Sequence, residues 1–414
     1  MQILRWERLF GLLVLLLSSQ VMASTVYSSA MLNEASTLVD IVPKQSKQLA
    51  TSYLAQRKLT DQTEKSPSAI SRDDSDSRVR TPGGTIDALK ILARAEFNLG
   101  NTDAALKYLH EAKALTTKYR LPYLRLDLRL LEIRLRWQID GDAETARKDI
   151  AEVEQAFNAI QNPEQLAKGL NYQLTMLKAD IASAEGQIEL ANQLYEDVIP
   201  YIEQSNNKHT VIAYHIALGK HFLAHKIYNK ALSELLTSYW SAIEDTSGLQ
   251  LAEVNRLLGQ LFYERRVLDK ATDHFSQAAD FYDNYENSPI LPPILKRMGD
   301  IYYHQGRYNL ALVHYFNAID HERIQNNIEN VIAIRLALAA TYLQLVNFPL
   351  AEQYLERAEE LLSYVDIPKL KAQALLLEAG LASHQRHPQE VVAKATKALD
   401  LSLIHISEPT RQPC

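Results

Sequence analysis

The stretch LKRMGDIYYHQGRYNLALVHYFNAID, Leu295 to Asp320, decides the fold. It contains two segments with helical spacing, separated by a turn at Gly306. A small residue recurs in each segment, Gly299 in the first and Ala311 in the second, and Tyr315 follows one helical turn after Ala311. Residues three or four apart share one face of a helix. The stretch therefore predicts a helical hairpin whose two helices touch at the small residues, with aromatic rings filling the space beside them.

The pattern returns every 40 residues. The equivalent positions of the second helix are Ala191, Ala231, Ala271, Ala311, Ala351 and Val391. The first helix repeats its glycine at Gly219, Gly259 and Gly299. A glycine inside a helix costs about 1 kcal/mol relative to alanine. Its recurrence at a fixed position therefore indicates a packing requirement.

This pattern resembles the tetratricopeptide repeat. Met298-Gly299 occupies the family's Leu-Gly step, and Ala311, Tyr315 and Ala318 occupy its second-helix positions. The 40-residue unit is longer than the common unit of about 34 residues, and it resembles the longer-repeat branch of the family. The resemblance implies an all-α, right-handed α-solenoid of tetratricopeptide-like helical hairpins. About eight units would span residues 86–400, with the last one truncated. The extra residues of each unit are expected between its second helix and the next unit.

The amino-acid composition favours a helical protein, and the net charge does not favour binding to nucleic acid. The chain has 414 residues, only 13 glycines and 14 prolines, and a formal net charge of −6. Low glycine and proline contents favour helix. A negative net charge does not favour binding to nucleic acid or to an anionic membrane surface.

The N-terminus has the pattern of a secretory signal peptide. Arg5 and Arg8 precede an apolar run, and a small-residue site allows cleavage after Ala23. We therefore predict a signal peptide at 1–23 and an exported, periplasmic protein, which could also be the periplasmic part of an inner-membrane protein. An uncleaved anchor is the alternative, although the apolar run is shorter than the roughly 20 residues of a membrane span.

Two segments separate the signal peptide from the repeats. Residues 24–59 predict an N-terminal helical pair or a degenerate repeat. Residues 60–85 are polar, lack aromatic residues and are rich in Ser and Asp, which predicts a flexible linker.

The C-terminal segment LSLIHISEPTRQPC, Leu401 to Cys414, breaks the helical pattern. Leu401 to Arg411 also matches, residue for residue, a translation of the transposon-end adapter used in sequencing libraries. We interpret 401–414 as an adapter-derived artefact, with the natural protein continuing beyond Asp400. Cys414, the sole cysteine, is then no part of its chemistry.

The sequence contains no familiar catalytic constellation. It has no glycine-rich phosphate loop, no G-x-S-x-G and no H-E-x-x-H. His221 and His225 have a spacing that could bind a metal, but no Cys or acidic ligand accompanies them, so we interpret them as surface or groove polarity. We expect no enzyme activity from these residues, no cofactor and no bound metal.

The resemblance also implies a binding surface. In tetratricopeptide proteins the first helix of each hairpin lines an inner groove that binds peptides or protein segments. The positions carried over from the family are Lys220, Arg256, Gln260, Tyr263, Lys296, Asp300 and Tyr303, followed by Leu336, Ala340 and Leu343 in the next unit. Gln260 and Asp300 stand where the family's carboxylate clamp has Asn, so capture of a C-terminal carboxylate is not implied. A merely solvated inner face is the alternative.

These patterns favour a non-catalytic protein- or peptide-binding scaffold or sensory module in the periplasm, forming the N-terminal part of a longer chain. The layout resembles the exported repeat region of Gram-negative envelope and signalling proteins. The alternative is the periplasmic sensor half of a membrane signalling enzyme, a diguanylate cyclase or histidine kinase, anchored and completed by sequence after Asp400. A complete soluble scaffold is a further alternative. A cytosolic peptide-binding regulator is also considered, but the signal peptide argues against it.

Overall fold

The computed structural model describes residues 30–40, 42–63, 83–160, 164–205, 207–284, 288–325, 327–384 and 387–407. Over these ranges the chain is helical and contains no strand. No helix within them is long and apolar enough to cross a membrane. The predicted signal peptide at 1–23 lies outside the described residues, as does most of the predicted linker. The chain divides into two compact units, Met1–Asn171 and Tyr172–Cys414.

The first unit is built from short antiparallel helices. They are α1 (30–38), α2 (Pro43–Thr63), α3 (Gly83–Asn98), α4 (Thr102–Lys118), α5 (Pro122–Asp140) and α6 (Ala143–Asn158). Helices α3 and α4 pair, as do α5 and α6. Leu92, Leu109 and Leu128 are almost fully buried and belong to its main core. Helix α2 continues to Thr63 and α3 starts at Gly83, so helices occupy both ends of the segment 60–85 that the sequence assigns to a linker.

The helix α7 (Glu164–Ala184) crosses into the second unit. The helices that follow it are α8 (Ile188–Asp197), α9 (Ile199–Gln204), α10 (Lys208–Ala224), α11 (Tyr228–Glu244), α12 (Gly248–Glu264), α13 (Leu268–Tyr282), α14 (Leu291–His304), α15 (Tyr308–Gln325), α16 (Ile328–Gln344), α17 (Phe348–Leu362), α18 (Pro368–His384) and α19 (Pro388–Ser407). From α10 onward, each even-numbered helix pairs with the next to form a hairpin. Helix α19 includes residues 401–407 of the predicted artefact, and 408–414 lie outside the described residues.

The 40-residue period arises mainly from long helices. Helices α10, α11 and α12 each have 17 residues, and only residues 225–227 and 245–247 connect them. The expectation that extra residues lie between hairpins is therefore wrong at this point. Longer connections follow α13, at 283–290, and α17, at 363–367. At the first of them α13 ends early at Tyr282, and the prolines after Leu291 begin α14. Longer helices bury more apolar surface than longer loops would.

The repeated glycines lie where the two helices of a hairpin approach most closely. A Cβ added at Gly219 would lie 2.6 Å from the Leu235 side chain, and one at Gly259 would lie 2.6 Å from the Phe275 ring. At Gly299 the distance to the Tyr315 ring would be 2.5 Å. The predicted packing requirement is therefore confirmed. The repeated alanines from 191 to 351 are buried as well, whereas Val391 is partly exposed.

The turn between the two helices repeats in four successive hairpins, from α10–α11 to α16–α17. Its second residue adopts a left-handed backbone conformation, with φ of 60° at Lys226, 61° at Arg266, 73° at Gly306 and 58° at Val346. Glycine adopts this conformation without strain, whereas a β-branched residue such as Val346 does so at a cost. The closed turn keeps the two helices of each hairpin antiparallel.

Candidate functional site

An open groove lies on the inner face of the second unit, the face formed by the first helices of its hairpins. It encloses about 1900 Å³ and is lined mainly by α14, α16 and α18, the first helices of three successive hairpins. Tyr263 of α12 and the Ala395 to Leu399 stretch of α19 complete it. We call this feature the inner groove. Its position agrees with the surface that the sequence pattern predicted.

One half of the inner groove is polar and aromatic. Asp300 is its centre: it accepts hydrogen bonds from the Tyr315 hydroxyl at 2.9 Å and from Lys296 Nζ at 3.0 and 3.1 Å. Arg297 Nη1 lies 3.6 Å from the same carboxylate, and its guanidinium lies 5.3 Å from the centre of the Tyr263 ring. Two cations, Lys296 and Arg297, thus surround one carboxylate. Tyr303 lines the same wall.

The part of the inner groove that α16 and α18 line contains an apolar patch. Ala333, Ala337 and Ala340 follow one another along one face of α16, and Leu376 and Leu377 of α18 lie opposite. Forty residues earlier in the chain, these alanine positions hold proline, arginine and aspartate. The methyl groups leave room that longer side chains would fill. The inner groove therefore offers charged and hydrogen-bonding groups on one wall and an apolar floor beside it.

Four of the seven predicted site residues line the inner groove, and three do not. Those lining it are Tyr263, Lys296, Asp300 and Tyr303. Of the apolar positions that follow them, Leu336 and Ala340 line it, and Leu343 does not. Sequence reasoning missed Ala333, Ala337, Leu376 and Leu377. The signal was present, because the alanines recur with helical spacing on a first helix.

Lys220, Arg256 and Gln260 are engaged with neighbouring side chains outside the inner groove. Lys220 Nζ lies 2.8 Å from Glu253 Oε1, and Arg256 Nε donates to Glu253 Oε2 at 2.7 Å. Burial raises the pKa of Glu253, but the two cations outweigh it and lower that pKa to about 2. Gln260 Nε2 donates to Glu264 Oε1 at 3.1 Å. These side chains stabilise the α10–α12 region, and their placement in the binding surface is not supported by the geometry.

Of the two histidines, His221 is buried and His225 is partly exposed. His221 is 2% exposed; it accepts from the Ser183 hydroxyl at Nδ1, 2.7 Å away, and donates from Nε2 to Asn192 Oδ1 at 3.2 Å. Burial, with smaller contributions from His225 and Lys230, lowers the pKa of His221 to about 4. The interpretation of His221 as surface polarity is therefore wrong: it is a neutral core residue with both nitrogens satisfied. Among the described residues, no group of three or more His, Cys, Asp or Glu side chains could hold a metal ion.

Comparison with known proteins supports the fold. The sequence matches no family model, and no curated protein matches it. A Signal Transduction ATPase with Numerous Domains from Pyrococcus horikoshii, which has a tetratricopeptide repeat sensor, is similar with a TM-score of 0.62 and 12% identity, over 80% of this chain and 52% of that one. Aspartyl phosphate phosphatase F from Bacillus subtilis gives a TM-score of 0.53 and 12% identity, over 93% and 95%.

A third similar structure is a Rap protein complexed with Competence and Sporulation Factor. It gives a TM-score of 0.50 and 14% identity, over 92% of this chain and 99% of that one. At these identities the likeness concerns the fold alone. Together with the antiparallel hairpins, it defines the class of protein: an all-α solenoid of tetratricopeptide-like hairpins, as the sequence predicted.

Proposed function

We propose that the inner groove binds a peptide or a segment of a partner protein, and that the chain is a non-catalytic recognition module. The observation that carries this proposal is the groove itself. A concave, largely apolar surface with a few convergent polar groups is what ligand sites usually offer. Here the polar groups are Lys296, Arg297 and Tyr303, and the apolar floor is the alanine face of α16.

The size of the groove favours a polymeric ligand over a small molecule. Its volume of about 1900 Å³ exceeds the roughly 300–1,000 Å³ of typical small-molecule pockets. It also extends across three hairpins rather than closing around one point. A peptide could place one side chain against the polar wall and its neighbours on the apolar floor.

The structural likenesses support the proposal at the level of the fold. One similar protein has a repeat sensor, and another was solved in complex with Competence and Sporulation Factor. Nucleic acid is not proposed as a partner, because the chain carries a net charge of −6.

Location and wider role belong to the same proposal. The pattern at 1–23 supports export to the periplasm, where this module would act as a scaffold or a sensor. A second candidate function is the sensory half of a membrane signalling enzyme, a diguanylate cyclase or histidine kinase. The likeness of the fold to a Signal Transduction ATPase with Numerous Domains that has a tetratricopeptide repeat sensor supports this second candidate.

A pair of substitutions in the polar wall tests the proposed binding site. Linear peptides selected from a display library against the full chain would serve as ligands. We expect Lys296→Ala with Tyr303→Ala to weaken their binding by about tenfold or more, because both side chains line the groove.

The matched control is Asn309→Ala with Gln353→Ala, two exposed positions on α15 and α17. It should leave the dissociation constant within about twofold of the wild-type value. Equal affinity of the groove variant and the control, both with unchanged helical circular dichroism, would contradict the proposed site.

A further inference from the structure

The outer face of α11 carries an exposed apolar stripe. Leu236, Trp240 and Ile243 are 38%, 61% and 41% exposed. Their spacing of four and then three residues places all three on one helix face. We call these three residues the outer stripe. A single exposed apolar residue needs no explanation, but three on one face form a contiguous patch.

The stripe is peculiar to α11. Positions 40 residues apart are equivalent in this unit, because Ala231 and Ala271 are both buried, and so are Ala242 and Tyr282. The positions equivalent to the outer stripe are Glu196, Pro200 and Glu203 before it and Ser276, Asp280 and Asp283 after it. The core packing of the hairpins is thus kept in all three units, while only the middle one of the three has large apolar side chains at all three of these positions.

The surroundings of the stripe are acidic. Helices α8, α9, α11 and α13 together contain nine Asp or Glu and two Lys, with no Arg. Glu196, Glu203, Asp280 and Asp283 are all exposed. No ion pair with another described residue neutralises any of the four. At the positions equivalent to the outer stripe, the hairpins before and after it thus carry exposed acidic side chains, which we call the two acidic borders.

We propose that the outer stripe binds a basic amphipathic helix of a partner protein. Leu236 to Ile243 spans about 10 Å along α11, at about 1.5 Å per residue, which matches two turns of a second helix. A helix that buries leucine-like side chains on the stripe would place its flanking Lys and Arg beside the two acidic borders. The site lies on second helices of the hairpins, whereas the inner groove is built from first helices, so the two surfaces are independent.

The negative charge of the acidic borders disfavours two other binding partners. A second copy of this chain would bring a second pair of acidic borders against the first, and like charges oppose that contact. An anionic lipid surface is disfavoured for the same reason. A basic partner helix gains from both the apolar and the charged parts of the surface.

The test uses a synthetic amphipathic peptide whose apolar face is leucine and whose other positions are lysine, with a version carrying glutamate in place of lysine. Binding to the full chain would be followed by fluorescence anisotropy of the labelled peptide. The stripe variant is Leu236→Ser with Trp240→Ser. The control is Leu310→Ser with Val313→Ser, which are 37% and 52% exposed on α15.

We expect the lysine peptide to bind the stripe variant about tenfold or more weakly than wild type, with the control within about twofold and the glutamate peptide not binding. Equal binding to the stripe variant would show adhesion to the acidic surface as a whole and would overturn the proposal. Equal binding of the glutamate peptide would overturn it too.

Two further measurements distinguish binding of a partner helix from self-association and from membrane binding. Sedimentation that shows a dimer for wild type and a monomer for the stripe variant would assign the stripe to self-association instead. Binding to phosphatidylglycerol vesicles that is lost in the stripe variant would assign it to membranes. We expect the wild-type protein to be a monomer that does not bind such vesicles. We also expect it to bind the lysine peptide through the outer stripe.

Discussion

Replacing Phe275 by alanine is expected to lower the free energy of unfolding by about 3–5 kcal/mol. Phe275 is 2% exposed, and its ring packs against α12 at Gly259. Truncation removes the buried ring and leaves a cavity between two helices that cannot close fully. Urea unfolding followed by helical circular dichroism measures the loss. Val313→Ala, at a position that is 52% exposed, should change the same free energy by less than about 0.5 kcal/mol.

A second substitution shows whether the close approach at Gly259 is the cause. Gly259→Ala alone should destabilise by about 1–3 kcal/mol, because its new Cβ would lie 2.6 Å from the Phe275 ring. In the Phe275→Ala background the methyl group has room. The same change should then be neutral or stabilise by up to about 1 kcal/mol, the helix preference of alanine over glycine. If the changes in unfolding free energy of the two substitutions simply add, the contact between residue 259 and the Phe275 ring does not limit how closely α12 and α13 pack.

Acidification is expected to destabilise the protein through His221. Its imidazole has a pKa of about 4 in the folded protein, below the ordinary value of 6.5, because burial disfavours the charged form. Between pH 6.5 and 4 the unfolded chain therefore binds a proton that the folded chain does not. Stability is complete above pH 6.5 and falls as the pH approaches 4, by about 3 kcal/mol over the whole window.

The measurement compares wild type with His221→Gln at several pH values. Other groups titrate in this range, so the informative quantity is the difference in unfolding free energy between the two proteins. Glutamine stays neutral and can still bond to Ser183 and Asn192. The difference should shift in favour of the variant as the pH falls from 6.5 to 4. A difference that does not change with pH would mean that His221 titrates alike in the folded and unfolded states.

The fold followed from the sequence because its determinants are local and repeated. Small residues at Gly259 and Gly299, each opposite an aromatic ring, recur at one spacing, and the structure brings each pair into contact. The period alone did not reveal how the 40 residues divide between helix and loop. Helix α11 continues to Glu244 where a longer connection was expected, because no proline or glycine stops it before Asp245.

The inner groove was predicted only in part. A register identifies which face of a helix looks inward, and Tyr263, Lys296, Asp300 and Tyr303, which were chosen on that basis, line this groove. It cannot show which charged side chains satisfy one another. Glu253, which no sequence pattern singled out, engages both Lys220 and Arg256.

The burial of His221 escaped prediction for a related reason. Its partners Ser183 and Asn192 lie 38 and 29 residues earlier in the chain, on other helices. Pairing of this kind depends on tertiary contacts that the helical pattern of one segment does not contain. The same holds for Tyr315, whose hydroxyl reaches Asp300 across a hairpin.

The most direct test of the central claim fills the inner groove without touching its polar wall. Ala337 lies on the apolar floor, so Ala337→Trp would place an indole where the ligand is proposed to bind. Gln353→Trp, at an exposed position on α17, is the matched control. Isothermal titration with a display-selected peptide should show affinity lost by about tenfold or more in Ala337→Trp and unchanged in the control. Full affinity in a folded Ala337→Trp protein would contradict the claim that this groove is the binding site.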